Sequence, residues 1–329
     1  MATLIDVARR AGVSTASVSR VLSGSTSVSE TMRGRVLAAV QESGFQLNPL
    51  AQGLRKGRGN TVALLVGDIE QGLYATLTRH LQIALGEIGA DLMLYDLRHS
   101  AERLMHMLQR AEAMRLRGIA IATTDMIPLP QVRPLLLALV RSGMPVVSLG
   151  QTIEVRGVTS IVHEERTAAA RAAAYLLDRW GGPIAYVGRI AGSATGTERY
   201  RGFRDAVARA GIAPEAAPFW DASFRYAAGH DTLAAALRQG IRPRCVLAGS
   251  DEIALGALGA VQDHGLRVPE DVAVMGFGNL AWGAHVRPAL STVSAQPEQV
   301  AARVRDVLAG QKIADPAPLA RTLVLRQSA

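Results

Sequence analysis

The sequence predicts a small all-α module over residues 1–45, joined by a linker at 46–60 to an α/β core over 61–329. The core is expected as two lobes built on doubly wound parallel sheets. Three observations predict this division. Up to residue 45, apolar residues recur at helical spacing in three short runs. From residue 61, short apolar runs alternate with longer helical stretches, the pattern of parallel sheets. Charge changes at the same place. Residues 1–60 hold Arg9, Arg10, Arg20, Arg33, Arg35, Arg55, Lys56 and Arg58 against Asp6, Glu30 and Glu42, so five of the net +8 charges lie in the first module and its linker.

In LIDVARRA, Leu4, Val7, Ala8 and Ala11 form the apolar stripe, and Thr3 with Asp6 three positions on is close to a capping box. A turn at Gly12 leads to STASVSRVL. At about 100° per residue, Val18, Val21 and Leu22 share one side of this second helix. Thr15, Ala16, Ser19 and Arg20 share the other. A third helix, SETMRGRVLAAVQESG, starts near Ser29 and stops at Gly44. In the linker QLNPLAQGLRKGRGN, Asn48 can cap a helix and Pro49 fits its first position. Gly53 and Gly57 weaken that helix, and about two turns are too few to be stable alone in water. The linker is expected to be helical only under favourable conditions.

The core reads as the strands VALLV, GIAIA, PVVSL and TSIV, then a second series IAYVG, CVLAGS and VAVMGFG. Helices such as LYATLTRHLQIALGEIG and ERYRGFRDAVARAG separate them. About 270 residues of this texture suggest two similar lobes with a cleft between. Lobe one is expected over about 61–160 and 291–329, lobe two over about 161–290.

A pair of amphipathic helices joined by a Gly-containing turn matches a helix-turn-helix, although a generic helical hairpin has the same periodicity. The exposed face suits a DNA major groove. Arg20 can donate two hydrogen bonds to a guanine, worth about 1–3 kcal/mol of discrimination. Thr15 offers a methyl or hydroxyl to a base edge, and Ala16 allows close approach to a thymine methyl. The hydroxyls of Ser14, Ser17 and Ser19 suit phosphate oxygens, which fix position rather than sequence. Ser14 equally suits the N-cap of its own helix.

Other classes find less support. The chain has no GxGxxG, P-loop, GxSxG elbow or metal-spaced His cluster, so an enzyme is not expected, nor a metal or cofactor. Cys245 is the single cysteine, which rules out an internal disulfide. The N-terminus MATLIDVARR lacks a basic-then-apolar signal pattern, and no apolar run reaches the roughly 20 residues that span a bilayer. A cytoplasmic, nucleoid-associated protein without a membrane partner is expected; the alternative is a solute-binding protein without a DNA role.

The stretches DVARRAGVS, SVSRVLSG, VSETMRGRV and NPLAQGLRKG, in this order and spacing, resemble the N-terminal region of the LacI/GalR family of bacterial transcription regulators. The similarity continues more loosely to LVLRQS near the C-terminus. The resemblance implies a repressor that binds a palindromic operator as a homodimer, or a tetramer, with Thr15, Ala16 and Arg20 reading bases. Thr3, Ser14, Ser17, Ser19, Asn48 and Ala51 count among the implied DNA contacts. It also implies a linker that folds on operator DNA and wedges Leu54 into the minor groove; otherwise Leu54 packs the linker against the core. A wedge of this kind costs a few kcal/mol of unstacking and returns a bent duplex with more contacts. Glycine costs about 1 kcal/mol inside a helix, so Gly53→Ala is expected to tighten operator binding in a gel shift. Unchanged or weaker retention would contradict a conditional helix there.

For the core, the resemblance implies a fold like periplasmic sugar-binding proteins and a small carbohydrate-type effector (a sugar, sugar acid or sugar phosphate) between the lobes. In GTERYRGF, Arg199 stands at the family's ligand-binding arginine; in AGSDEIALGAL, Asp251 matches a carboxylate that binds sugar hydroxyls; in WDASFRYAAG, Phe224 matches a stacking aromatic. Each has a plainer role available: a solvated helix residue, a helix N-terminal acid favoured by the dipole, and a core aromatic. On this reading, Asp251→Ala would remove the effector response and spare DNA binding. Asp68 and Tyr74, the first and last residues of DIEQGLY, are the first lobe's candidates. Two positions depart from the family pattern: Gly150 where a polar residue is common, and His163-Glu164 where Asp-Asn is common.

Overall fold

In the computed structural model, residues 2–22, 28–45, 59–311 and 317–329 are described. Asn48, Ala51, Gly53 and Leu54, and with them the expected linker helix, lie outside these residues. The chain divides into two compact units, Met1–Gly59 and Asn60–Ala329.

The first unit holds α1 (Leu4–Ala11), α2 (Thr15–Leu22) and α3 (Glu30–Ser43). Thr3 and Asp6 form the capping box: Thr3 Oγ1 accepts the Asp6 N–H, and the Asp6 carboxylate accepts the Thr3 N–H at 2.9 Å. Gly12 then ends α1 in the left-handed region, at φ 64°, where a side chain would be strained. This allows the turn into α2. Val7, Ala8 and Ala11 from α1, Val18 and Val21 from α2, and Val36 and Ala39 from α3 form one buried cluster. The periodicity thus finds its partners, with Leu4 and Leu22 at the cluster's edge.

The second unit carries two sheets. The first, in the order β2-β1-β3-β4-β5, is all parallel: β1 is Thr61–Val66, β2 Asp91–Asp96, β3 Gly118–Ala122, β4 Val146–Leu149 and β5 Val158–Ile161. The second runs β11-β10-β9-β8-β6-β7, with β6 Ile184–Gly188, β7 Phe219–Asp221, β8 Cys245–Ala248, β9 Ala273–Gly278, β10 Ser291–Ser294 and β11 Thr322–Val324. It is parallel except for the antiparallel edge strand β11. Helices cover the sheets, as crossover connections require.

The tail departs from the expected lobe division. Strands β10 and β11 belong to the second sheet, so residues 291–329 are not all lobe one. Between them, the helix Pro297–Leu308 joins the first lobe, burying Val300, Ala301, Val304 and Leu308 beside Leu77 and Leu81, and Leu319 enters the same cluster. Strand β10 has no apolar run to reveal it, because Ser291, Thr292 and Ser294 are buried hydroxyl residues. Ser291 and Thr292 satisfy their hydroxyls inside the protein, on Ala329 O and Asp251 Oδ1.

Three segments cross between the lobes, and hydrogen bonds hold them side by side. Leu319 N–H donates to Val162 O at 2.8 Å, Glu164 N–H to Leu319 O at 3.0 Å, and His163 Nε2 to Ala295 O at 2.8 Å. This hinge adjoins the candidate ligand site. Among the described residues, no helix is long and apolar enough to cross a membrane.

Candidate functional site

In the first unit, α2 turns two faces in different directions. Val18 and Val21 are buried, whereas Thr15, Ala16 and Arg20 are exposed. Ser14 Oγ accepts the Ser17 N–H at 3.1 Å and lies 3.0 Å from Ser17 Oγ, so Ser14 caps the helix while remaining exposed. Thr3 is committed to its capping box, its hydroxyl 2.6 Å from Asp6 Oδ2. Ser17 and Ser19 are half-buried. The surface of α2 thus offers a methyl, a small side chain, hydroxyls and a guanidinium, groups that suit a major-groove edge.

In the second unit, a cavity lies at the hinge between the lobes. Leu73, Leu77, Leu149, Ile161 and Val300 supply much of its wall. Polar groups enter from both lobes: Tyr74 and Thr124 from the first, Thr195 and Arg199 from the second, and His163, Glu165 and Arg321 from the hinge and the residues beside it. An adjoining recess shares Leu73, Thr124, Arg199 and Arg321 and extends to Gln71, Phe224, Asp251 and Glu252.

Arg199 reaches this place because its helix (Ala194–Arg209) packs very closely on helix Glu165–Trp180. The contact needs Gly202, where a Cβ would stand 2.0 Å from the Arg166 carbonyl oxygen. Arg199 donates through Nε to Glu165 Oε2 at 2.9 Å and through Nη1 to Gly249 O at 2.6 Å. Arg321 donates through Nη2 to Glu165 Oε1 at 2.5 Å. The Phe277 ring meets both cations, with Arg199 Cζ 4.4 Å and Arg321 Cζ 5.4 Å from its centroid. Burial opposes the Glu165 charge, but Arg199 and then Arg321 outweigh it and hold the carboxyl far below its usual range. The His163 imidazole is pushed down to about 4, chiefly by burial and then by Arg321. It is therefore neutral at pH 7, with its Nε2 hydrogen directed to the Ala295 carbonyl, which can only accept.

The sequence-predicted residues are divided by this geometry. Arg199 and Tyr74 line the hinge cavity, and burial keeps the Tyr74 phenol neutral well above its usual range. Phe224 lines the recess but is also 6% exposed in the second lobe's core, so the core and ligand alternatives coincide. Asp251 touches the recess, yet both its oxygens already serve the protein: Leu280 N–H donates at 2.6 Å and Thr292 Oγ1 at 2.5 Å. Asp68 is paired across the lobes with Arg225 and lies 3.5 Å from His99 Nε2. It fastens the cleft rim together with Asp125–Arg189, at 2.6 Å, and Glu252, which accepts the Gly72 N–H at 2.7 Å. Gly150 lines the hinge cavity at φ 89°.

Glu165, Thr195 and Arg321 were not among the sequence-predicted residues, and His163 was noted only as a departure. Glu165 did carry a signal. It heads the buried stripe of its helix, in register with Ala168, Ala169, Ala172, Ala173 and Leu176, where an acid is out of place unless paired.

Comparison with known proteins identifies both units. Residues 3–48 match the family of bacterial regulatory proteins of the lacI type, and residues 173–329 match a periplasmic binding protein-like domain. The HTH-type transcriptional regulator AscG of Escherichia coli (strain K12) is 30% identical, with 100% of this chain and 98% of AscG covered. The chain belongs to the LacI family. This LacI-family protein is a DNA-binding transcription regulator, and its relatives are regulators rather than enzymes. Among solved structures, the Lac repressor bound to ONPG in the repressed state superposes with a TM-score of 0.85, covering 100% of this chain and 99% of that one. At 23% identity, that likeness concerns the fold. The transcriptional regulator CelR in complex with cellobiose is 28% identical over 100% of both chains, with a TM-score of 0.69.

Proposed function

We propose that this LacI-family regulator is a cytoplasmic repressor that binds a palindromic operator as a homodimer and answers to a small carbohydrate-type effector in the core. The observation that carries the DNA reading is the exposure of Thr15, Ala16 and Arg20 opposite buried Val18 and Val21. In this reading those three residues contact bases, Ser14, Ser17, Ser19 and Thr3 contact the backbone, and Asn48, Ala51 and Leu54 act in the linker. For the effector, support comes from the cavity of Tyr74 and Arg199 and from the cellobiose held by CelR.

The cavity adjoins the hinge, so a ligand there changes how the lobes meet. If lobe closure governs the linkers, effector and operator affinities are reciprocally linked, typically by about 1–3 kcal/mol. The test is a gel shift of the full-length protein with genomic fragments, repeated with candidate sugars. Retention should be sequence-specific and weaken steeply with salt. Arg20→Ala should cost about 1–3 kcal/mol at its preferred site and relax the preference at one base position. Retention unaltered by this substitution would remove Arg20 from the base-reading set, and no specific retention at low salt would overturn the reading.

A further inference from the structure

The hinge cavity holds more donor capacity than its protein partners use. Among the described residues, Nε and Nη1 of Arg321 are buried and have no hydrogen-bond partner, and the same holds for the hydroxyls of Thr124 and Thr195, while the Tyr74 hydroxyl oxygen lies by the backbone N–H groups of Gly67 and Thr124. All four residues line the one cavity. Arg321 is only 4% exposed. A guanidinium has five N–H hydrogens, and the side-chain hydrogen bond of Arg321 from Nη2 to Glu165 leaves the Nε hydrogen and both Nη1 hydrogens unused. Buried donors left unpaired are costly, more so when charged.

The charge count points the same way. Glu165 is one anion shared by two buried cations, Arg199 and Arg321. His163 beside them is neutral at pH 7. Asp251 offsets this only in part: its hydrogen bonds go to Thr292 and Leu280, and among its coulombic neighbours Arg326 comes before Arg199, with Arg321 not among them. Arg321 is held below the usual arginine range, by burial first and then, against the pull of Glu165, by Arg199. A second anion would relieve both the surplus charge and the unused donors.

We propose that the hinge cavity is an anion subsite, which takes an effector bearing a carboxylate or phosphate held by Arg321. The hydroxyls of Tyr74, Thr124 and Thr195 meet its polar substituents, and Leu73, Leu77, Leu149, Ile161 and Val300 cover its carbon face. The effector is thus a small hydroxylated organic acid or phosphate ester rather than a neutral sugar. The proposal rests on the core being the effector-binding unit.

The test uses the full-length protein and two probe sets. The first compares D-glucose with D-gluconate, D-glucuronate and D-glucose 6-phosphate by calorimetric titration; the second compares acetate, benzoate and inorganic phosphate with chloride at equal ionic strength by thermal shift. At least one anion of the first set should bind about tenfold or more tightly than glucose, and Arg321→Met should remove that advantage. Gluconate and glucuronate against the phosphate ester separate the two anion types. If no sugar probe binds, but anions of the second set raise the melting temperature through Arg321, the subsite stands and the carbohydrate class is wrong. Equal binding of glucose and the anions, an undiminished advantage in Arg321→Met, or no response to either set would overturn the subsite. Should Arg321→Met fail to fold, E165Q/R321M removes both buried charges of that pair and serves in its place.

Discussion

Replacing Glu165 with alanine is expected to destabilise the core unit by about 3–5 kcal/mol, the usual cost of removing one partner from a buried ion pair. The carboxylate is 5% exposed and accepts from two guanidinium groups that are themselves 5% and 4% exposed. Without it, Arg199 and Arg321 face each other across the hinge with no anion between them. Glu165→Gln keeps the shape and loses the charge, so it should recover only part of the loss. Urea unfolding of the full-length protein checks this; a loss under about 1 kcal/mol would show that the cluster is reached by water. The pH dependence has a definite sign. The folded-state pKa of Glu165 is depressed, so its contribution is complete above the ordinary glutamate range. It is lost as pH falls below that range toward the folded value, and acid unfolding of the wild type should therefore show a step that Glu165→Ala lacks.

This cluster also shows where the sequence was readable and where it was not. The three helices of the first unit follow from local rules alone. Their apolar spacing, the Thr3–Asp6 box, the Ser14 and Ser29 caps and the glycines at 12 and 44 all act within a few residues of each other. The strands read from apolar runs were legible for the same reason, although β2, with its LMLY run, was not among those read. Strand β10 was not, because its burial is tolerated only through partners far along the chain, such as Asp251 for Thr292. Arg199 stood out through the resemblance of GTERYRGF to the family's ligand-binding arginine. Arg321 did not, since nothing near it in LARTLVLRQS hints at Glu165, 156 positions earlier. Ion pairs that cross a hinge leave little local trace, and the pairing of Asp68 with Arg225 on the opposite lobe is a second instance.

Asp251 presents the other large effect, and here the structure changes the expected outcome of the experiment. Asp251→Ala should lower stability by about 2–5 kcal/mol and weaken the effector response with it, rather than silence the response in an otherwise intact protein. The carboxylate is 1% exposed, and removing it orphans two buried donors, the Leu280 N–H and the Thr292 hydroxyl. It also takes an acid from the first turn of helix Asp251–Asp263, where the dipole favours one. The consequence reaches the other lobe. Leu280 lies against Gly72, where a Cβ would stand 3.3 Å from the Leu280 side chain, and Gly72 donates its N–H to Glu252 next to Asp251. Loosening the Gly278–Leu280 segment therefore loosens a lobe-to-lobe contact at the mouth of the recess. Asp251→Asn fills the same space, its oxygen can accept the Leu280 N–H, and its NH2 can donate to the Thr292 hydroxyl, which already accepts from the Asn279 N–H, so it should rescue much of the stability. Urea unfolding and effector titration on the same preparations decide the matter. Unaltered unfolding with abolished effector binding would restore Asp251 as a direct ligand contact, whereas parallel losses place it behind the site, fixing the loop that closes it.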